Sequence, residues 1–117
     1  MGMKKFEVLK RVDTLCKNPF SAEEKRAWCA ELDAMLKKEY YRMDAPDVGE
    51  EETLPPPPYD AMYIDFVMAK CCYYQRDFDA YNQHITAFNS KLSDFSNWYI
   101  RTHMPERETE NKIKNWI

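Results

Sequence analysis

The sequence predicts an all-α fold: a single-domain bundle of about four helices, with an acidic, proline-rich loop between helices two and three. Apolar residues recur at helical spacing in three stretches and fill a fourth on almost every side. Only two glycines occur among 117 residues, too few for the tight turns of a hairpin-rich sheet. Hydrophobic residues make up 44% of the chain and aromatics 15%, enough for one modest core without metal or disulfide staples.

Residues 4–17 place Phe6, Val8, Leu9, Val12, Leu15 and Cys16 on one helical face. Asn18-Pro19 breaks that helix, because the residue before proline avoids the α region. Ser21-Ala22-Glu23-Glu24 has the form of a capping box and opens a second helix over 21–43. Its buried stripe is expected to be Trp28, Leu32, Met35, Leu36 and Tyr40. Its solvent side is expected to carry Glu23, Lys25, Arg26, Glu31, Asp33, Lys37, Lys38 and Glu39 in near-neighbour charge pairs.

Residues 44–58 change character: Asp44, Asp47, Glu50, Glu51 and Glu52 surround Gly49, and four prolines follow from Pro55 to Pro58. Prolines exclude helix interior and favour extended polyproline II. The carboxylates lack the alternating ligand positions of a calcium loop, so a solvated loop without metal is expected. With only Val48 and Leu54 as apolar anchors, 45–56 is expected to be weakly ordered.

A third helix is expected over 59–74, with Pro58 suited to its first turn. It is apolar on almost every side, interrupted by Asp60, Asp65 and Lys70. Such a helix belongs at the centre, and in so short a chain part of it is left for another subunit. Gln75-Arg76-Asp77 makes the turn, with Asp77 as N-cap of a fourth helix over 77–102. In that helix Phe78, Tyr81, Ile85, Phe88, Leu92, Phe95 and Tyr99 step alternately by three and four, an unbroken heptad seam. The expected core includes Trp28, Leu32, Tyr63, Phe66, Phe88, Leu92 and Phe95. Pro105 closes the helical domain, residues 1–105; the tail, 106–117, alternates charge and then reads Trp116-Ile117.

Several function classes find no signature. The net charge of −3 argues against a chain-wide nucleic-acid footprint, and Glu23-Glu24 at the start of helix two would repel phosphate. No apolar run approaches bilayer length, and Met1 to Phe6 lacks a signal-peptide core, so a soluble intracellular protein is expected. No glycine-rich phosphate loop, GxSxG elbow or HExxH helix occurs. His84 and His103 have no neighbouring nucleophile with an orienting carboxylate, and Asp60 and Asp65 make a weak acid–base pair. Cys16, Cys29, Cys71 and Cys72 have neither zinc nor thioredoxin spacing and read as reduced, packed thiols. Adjacent helical residues such as Cys71 and Cys72 point about 100° apart, against a vicinal redox pair. No catalytic residue, cofactor or metal is expected.

The informative feature is the back of helix four, away from the seam: Asn82, Gln83, Thr86, Asn89, Ser90, Ser93, Ser96 and Asn97. A solvated helix back usually carries Lys and Glu. Charge is costly to bury, whereas Asn, Ser and Thr hydrogen-bond at modest cost, and interface cores are depleted in charge. Asn82, Asn89, Ser93 and Asn97 are therefore candidate contacts to another protein. Trp116 and Ile117 are a second candidate contact, ordering against a partner.

Two groups of residues carry a family resemblance. The first is Arg11-Val12-Asp13, Asn18-Pro19-Phe20-Ser21, Lys25, Trp28 and Glu31-Leu32. The second is Pro57-Pro58-Tyr59-Asp60, Tyr63, Tyr81-Asn82, Phe88-Asn89, Phe95, Trp98-Tyr99 and Arg101-Thr102-His103-Met104-Pro105. Over most of residues 5–105 the chain resembles the head–tail connector (adaptor, head-completion) proteins of tailed phages and prophages. The third turn, which often carries Gly in such proteins, here reads Gln75-Arg76-Asp77. The resemblance implies a non-enzymatic helical protein that joins a ring at the portal in the virion neck. The implied partners are the portal, neighbouring copies and other neck or tail-completion proteins, with DNA only as channel contents and no membrane. Assembly in the bacterial cytoplasm follows from the same resemblance. The alternative is a small helical prophage-encoded regulatory or host-protein-binding module.

Overall fold

The computed structural model describes residues 2–103. Four α-helices run among them in chain order: α1 Lys5–Leu15, α2 Ala22–Leu36, α3 Met62–Tyr74 and α4 Phe78–His103. No β-strand occurs among the described residues, only one isolated antiparallel bridge between Lys4 and Glu52. The expected all-α architecture is the one observed.

α3 is the central element. Met62, Tyr63, Val67 and Cys71 are fully enclosed, and α1, α2 and α4 all pack against this helix. Val8 and Val12 from α1, Leu32 and Leu36 from α2, and Phe88 and Phe95 from α4 complete the core. Trp28, Phe66 and Leu92 sit half-buried at its edge rather than inside it.

Two sequence expectations for the outer helices are corrected. Phe6 and Leu15 point to solvent, Leu15 at 67% exposure, and the buried face of α1 is Lys5, Val8, Leu9 and Val12. Lys25, expected on the solvent side of α2, is only 4% exposed and lies in line with buried Cys29, Leu32 and Leu36. Both lysines are accommodated because each meets a carboxylate from another helix. Lys5 pairs with Asp33, which also accepts a hydrogen bond from the Tyr63 hydroxyl. Lys25 pairs with Asp13 and reaches the Asn18 side-chain oxygen at 3.2 Å.

The helix termini follow local chemistry. The Ser21 hydroxyl accepts the Glu24 N–H at 3.1 Å and donates to the Glu24 carboxylate at 3.4 Å, so Ser21 caps α2 without the backbone half of the expected capping box. Beyond Leu36 the chain stays coiled, as one π turn, Lys37–Tyr41, and one 3-10 turn, Arg42–Asp44. The wider π turn turns two consecutive tyrosines toward α4: Tyr40 lies 5.4 Å from Phe95 and Tyr41 lies 5.1 Å from Tyr99, ring centre to ring centre.

Between α3 and α4, Arg76 adopts φ +62°. The Asp77 N–H bonds the Cys72 carbonyl at 2.9 Å and the Arg76 N–H bonds the Tyr73 carbonyl at 3.1 Å. This is a Schellman motif with arginine in the left-handed position that glycine prefers. Asp77 also caps α4, its carboxylate accepting the Ala80 N–H at 3.3 Å.

The end of the acidic loop, residues 51–55, is anchored by more than the apolar Leu54. Thr53, Leu54 and Pro55 are buried. The Lys5 N–H bonds the Glu51 carbonyl at 2.7 Å and the Thr53 N–H bonds the Met3 carbonyl at 3.0 Å. The Met3 N–H is taken by the buried Asp60 carboxylate at 2.8 Å. Gly2 lies so close that an added Cβ would collide with Thr53 Oγ1 and the Pro55 carbonyl oxygen. Nor is the acidity wholly solvated: one Arg26 nitrogen donates to both Glu51 oxygens at 3.1 Å, and Lys4 stands 4.0 Å from Glu52. The physical reason is that buried backbone groups of residues 2–5 need partners, and the loop supplies them. The Pro57-Pro58 peptide is cis.

Candidate interaction face

α4 has 26 residues, a rod of about 39 Å at 1.5 Å per residue. Its inner side is the heptad seam. Phe88 and Phe95 are buried on it, and Tyr81, Ile85, Leu92 and Tyr99 are half-buried. Phe95 is the hub of an aromatic cluster, within 6.2 Å of Tyr40, Tyr41, Tyr59, Trp98 and Tyr99. Phe88 faces Phe66 at 5.2 Å. Lys91 crosses to α3 and pairs with the buried Asp65, in keeping with the rotation of α4 that buries Phe88 and Phe95.

With that rotation set, Asn82, Asn89, Ser93 and Asn97 are all exposed. Their positions fall within roughly 80° of arc on an α-helix. Gln83, Thr86 and Ser90 are exposed beside them, whereas Ser96 is half-buried at the margin. Among the described residues none of the four candidate side chains makes a hydrogen bond within the chain. Asp79, Asp94 and Arg101 are the charges on this exposed side. The structure thus brings the four helix-borne candidates onto one open strip. Trp116 and Ile117, with the rest of the tail, lie outside the described residues.

One part of the face escaped sequence reasoning. Phe78, expected as the first seam residue, is 53% exposed, and Tyr73 and Tyr74 at the end of α3 are 50% and 55% exposed. Tyr73 contacts Phe78 at 6.1 Å and Tyr81 at 5.5 Å, while Tyr74 stacks on Trp28 at 5.7 Å. Behind this aromatic edge is a groove of about 340 Å³, floored by Phe66 and Ala69 and flanked by Lys70, Tyr81 and Ile85. The signal in the sequence was the apolar girth of helix three, which three neighbours cannot cover on every side. Phe78 and Asn82 are one helical turn apart, so the aromatic edge and the polar strip are continuous.

The remaining polar clusters are committed to the fold. Tyr63 is held neutral by burial and by the Asp33 charge beside it, both raising its pKa. Lys70 bonds Glu31 at 3.1 Å and lies 5.5 Å over the Phe66 ring. Among the described residues no group of three or more potential metal ligands converges. No helix among them is long and apolar enough to cross a membrane.

No protein-family model matches this chain, and neither a curated protein nor a solved structure matches it. The reading of its surface therefore rests on its own side chains.

Proposed function

We propose that this chain is a non-enzymatic structural protein of a tailed-phage or prophage particle. In this reading it is a head–tail connector that joins a ring at the portal in the virion neck, having assembled in the host cytoplasm. The observation that carries the reading is the open strip of Asn82, Asn89, Ser93 and Asn97, ending in the aromatic edge of Tyr73, Tyr74 and Phe78. Scarcity of charge is what the strip shares with the core of an interface, and exposed aromatics such as those beside it are the usual anchors of such contacts. The residues that resemble the connector family support the same reading. In a ring, this strip on one copy meets a different surface on the next, and the contact repeats until the ring closes. Each contact can be weak, because the portal template and ring closure raise the effective concentration.

The test is the double substitution Asn89→Glu with Ser93→Glu. Both residues are exposed, so folding stability should change by no more than about 0.5 kcal/mol in urea titration. Binding to the portal and incorporation into particles should be lost, because two carboxylates would be desolvated without partners. A double variant that folds and assembles like the parent would remove this face from the interface.

A further inference from the structure

Among the described residues Met43 is the most exposed large apolar side chain, at 98%. Arg42 beside it holds φ +53°, a conformation disfavoured for a residue with a Cβ, and ends the π turn there. From Arg42 to Glu50 one cation stands with three carboxylates, Asp44, Asp47 and Glu50, all exposed. None of these carboxylates has an ion-pair partner among the described residues. The corner is an apolar tip with an acidic flank.

A surface of opposite character lies on α1. Phe6 and Leu15, 52% and 67% exposed, stand at the two borders of its open face. Lys10, Arg11, Thr14 and Glu7 lie between them, and the six together line a shallow depression of about 510 Å³. Lys10 and Arg11 have no ion-pair partner among the described residues, and neither has Lys17 just beyond the helix.

We infer that the Met43 corner of one copy of this chain docks on the α1 face of another, Met43 entering between Phe6 and Leu15 while Asp44 and Asp47 meet Lys10 and Arg11. Charge complementarity selects this pair of surfaces. The aromatic edge of α3 and α4 is also exposed and apolar, but its charges disfavour an acidic tip. Lys70 there is already bonded to Glu31, and Arg76 stands with Asp77 and Asp79. Methionine is flexible and polarizable, which suits a depression bordered by a phenyl ring. Because tip and face are different surfaces, the contact is heterologous: each copy offers its tip to one neighbour and its face to another. α1 has only 11 residues, about 16 Å of helix, so the contact is small and weak on its own. It is additional to the α4 strip and does not depend on the phage reading.

The experiment is sedimentation equilibrium of the full chain at up to about 1 mM, in about 0.1 M and about 1 M salt. Self-association is expected in the lower salt and should weaken in the higher. Lys10→Glu with Arg11→Glu should lower the association constant at least about tenfold, and so should Asp44→Lys with Asp47→Lys. The chain carrying all four reversals should associate again. All four residues are exposed, so circular dichroism melts should match the parent; Lys10→Gln with Arg11→Gln gives a milder loss should a reversal disturb folding. Met43→Ser should weaken association in both salts. Asn89→Glu with Ser93→Glu, the portal-contact variant, should leave it in place. A wild-type chain that stays monomeric in low salt would overturn the inference, whether or not Lys10 and Arg11 then retain duplex DNA or another acidic partner. So would association that survives either reversal, stays lost in the fourfold variant, or disappears on changing Asn89 and Ser93.

Discussion

Lys5 and Lys25 show how much a single position's phase is worth. Lys5 repeats with Val8, Leu9 and Val12, and Lys25 repeats with Cys29, Leu32 and Leu36, so both stand in the apolar stripe by spacing alone. Residue type argued the other way, and the partners that settle the matter, Asp33 and Asp13, lie on other helices. Asp33→Ala should cost about 3–5 kcal/mol in urea denaturation, since it strands the buried Lys5 ammonium and the Tyr63 hydroxyl together. Replacing Lys5 and Asp33 together by Met and Leu should cost much less than the sum of the single changes. The Asp13 pair has a pH signature. The Lys25 hydrogen bond holds the Asp13 carboxyl below its ordinary value of 3.8, against the opposing effect of burial, with Asn18 adding a second hydrogen bond. A lowered folded-state pKa means the pair's stabilisation is present above pH 3.8 and is lost as pH falls through the lower value. The stability gap between wild type and Asp13→Asn, followed by circular dichroism, should stay constant from neutral pH down to the region of 3.8 and narrow as pH falls below it.

At the scale of the element, the outer helices were legible from apolar residues at helical spacing and helix three from a long run that is apolar on almost every side, and the N-caps at Ser21 and Asp77 were written in local chemistry. What was not legible depends on tertiary company. The π turn at Lys37–Tyr41 leaves no local motif; it exists because Tyr40 and Tyr41 both find aromatic partners on α4. The anchoring of the acidic loop depends on backbone groups of residues 2–5, which no side-chain pattern reports. The polar strip of α4 was readable as composition, yet the aromatic edge beside it was not, because the heptad seam places Phe78 inside and only the packing shows where the seam stops being covered. The α3–α4 turn yields a direct test. Arg76 holds φ +62° without glycine's freedom, a conformation that disfavours a residue with a Cβ by about 1 kcal/mol. Arg76→Gly should therefore raise the urea midpoint, by up to about 1 kcal/mol in stability, and an appreciable fall would mean the arginine side chain supports the turn.

In the whole molecule, the four helices are joined very unevenly. α3 and α4 meet across the three-residue turn Gln75 to Asp77, whereas α1 reaches α3 only after the chain has passed through α2 and the acidic loop. Lys4 likewise meets Glu52 from far away in sequence. Closing a long loop costs more conformational entropy than closing a short one. Contacts between near neighbours therefore form at a lower entropic cost. The Schellman turn that ends α3 and starts α4 is therefore expected to act as a nucleation point: the α3–α4 hairpin should be largely formed in the folding transition state, with α1 and the Lys4–Glu52 bridge added downhill of it. Stopped-flow chevrons can check the order. Phe88→Ala, at the hairpin interface, should mainly slow refolding, with a φ-value of about 0.5 or more. Val8→Ala, in the buried face of α1, should mainly speed unfolding, with a φ-value below about 0.3. The reverse order would place the nucleus at the chain's N-terminal end. With the expected order, α1 is the part that leaves first when the folded molecule is pulled or heated, and the long helix with its exposed strip is the part that persists.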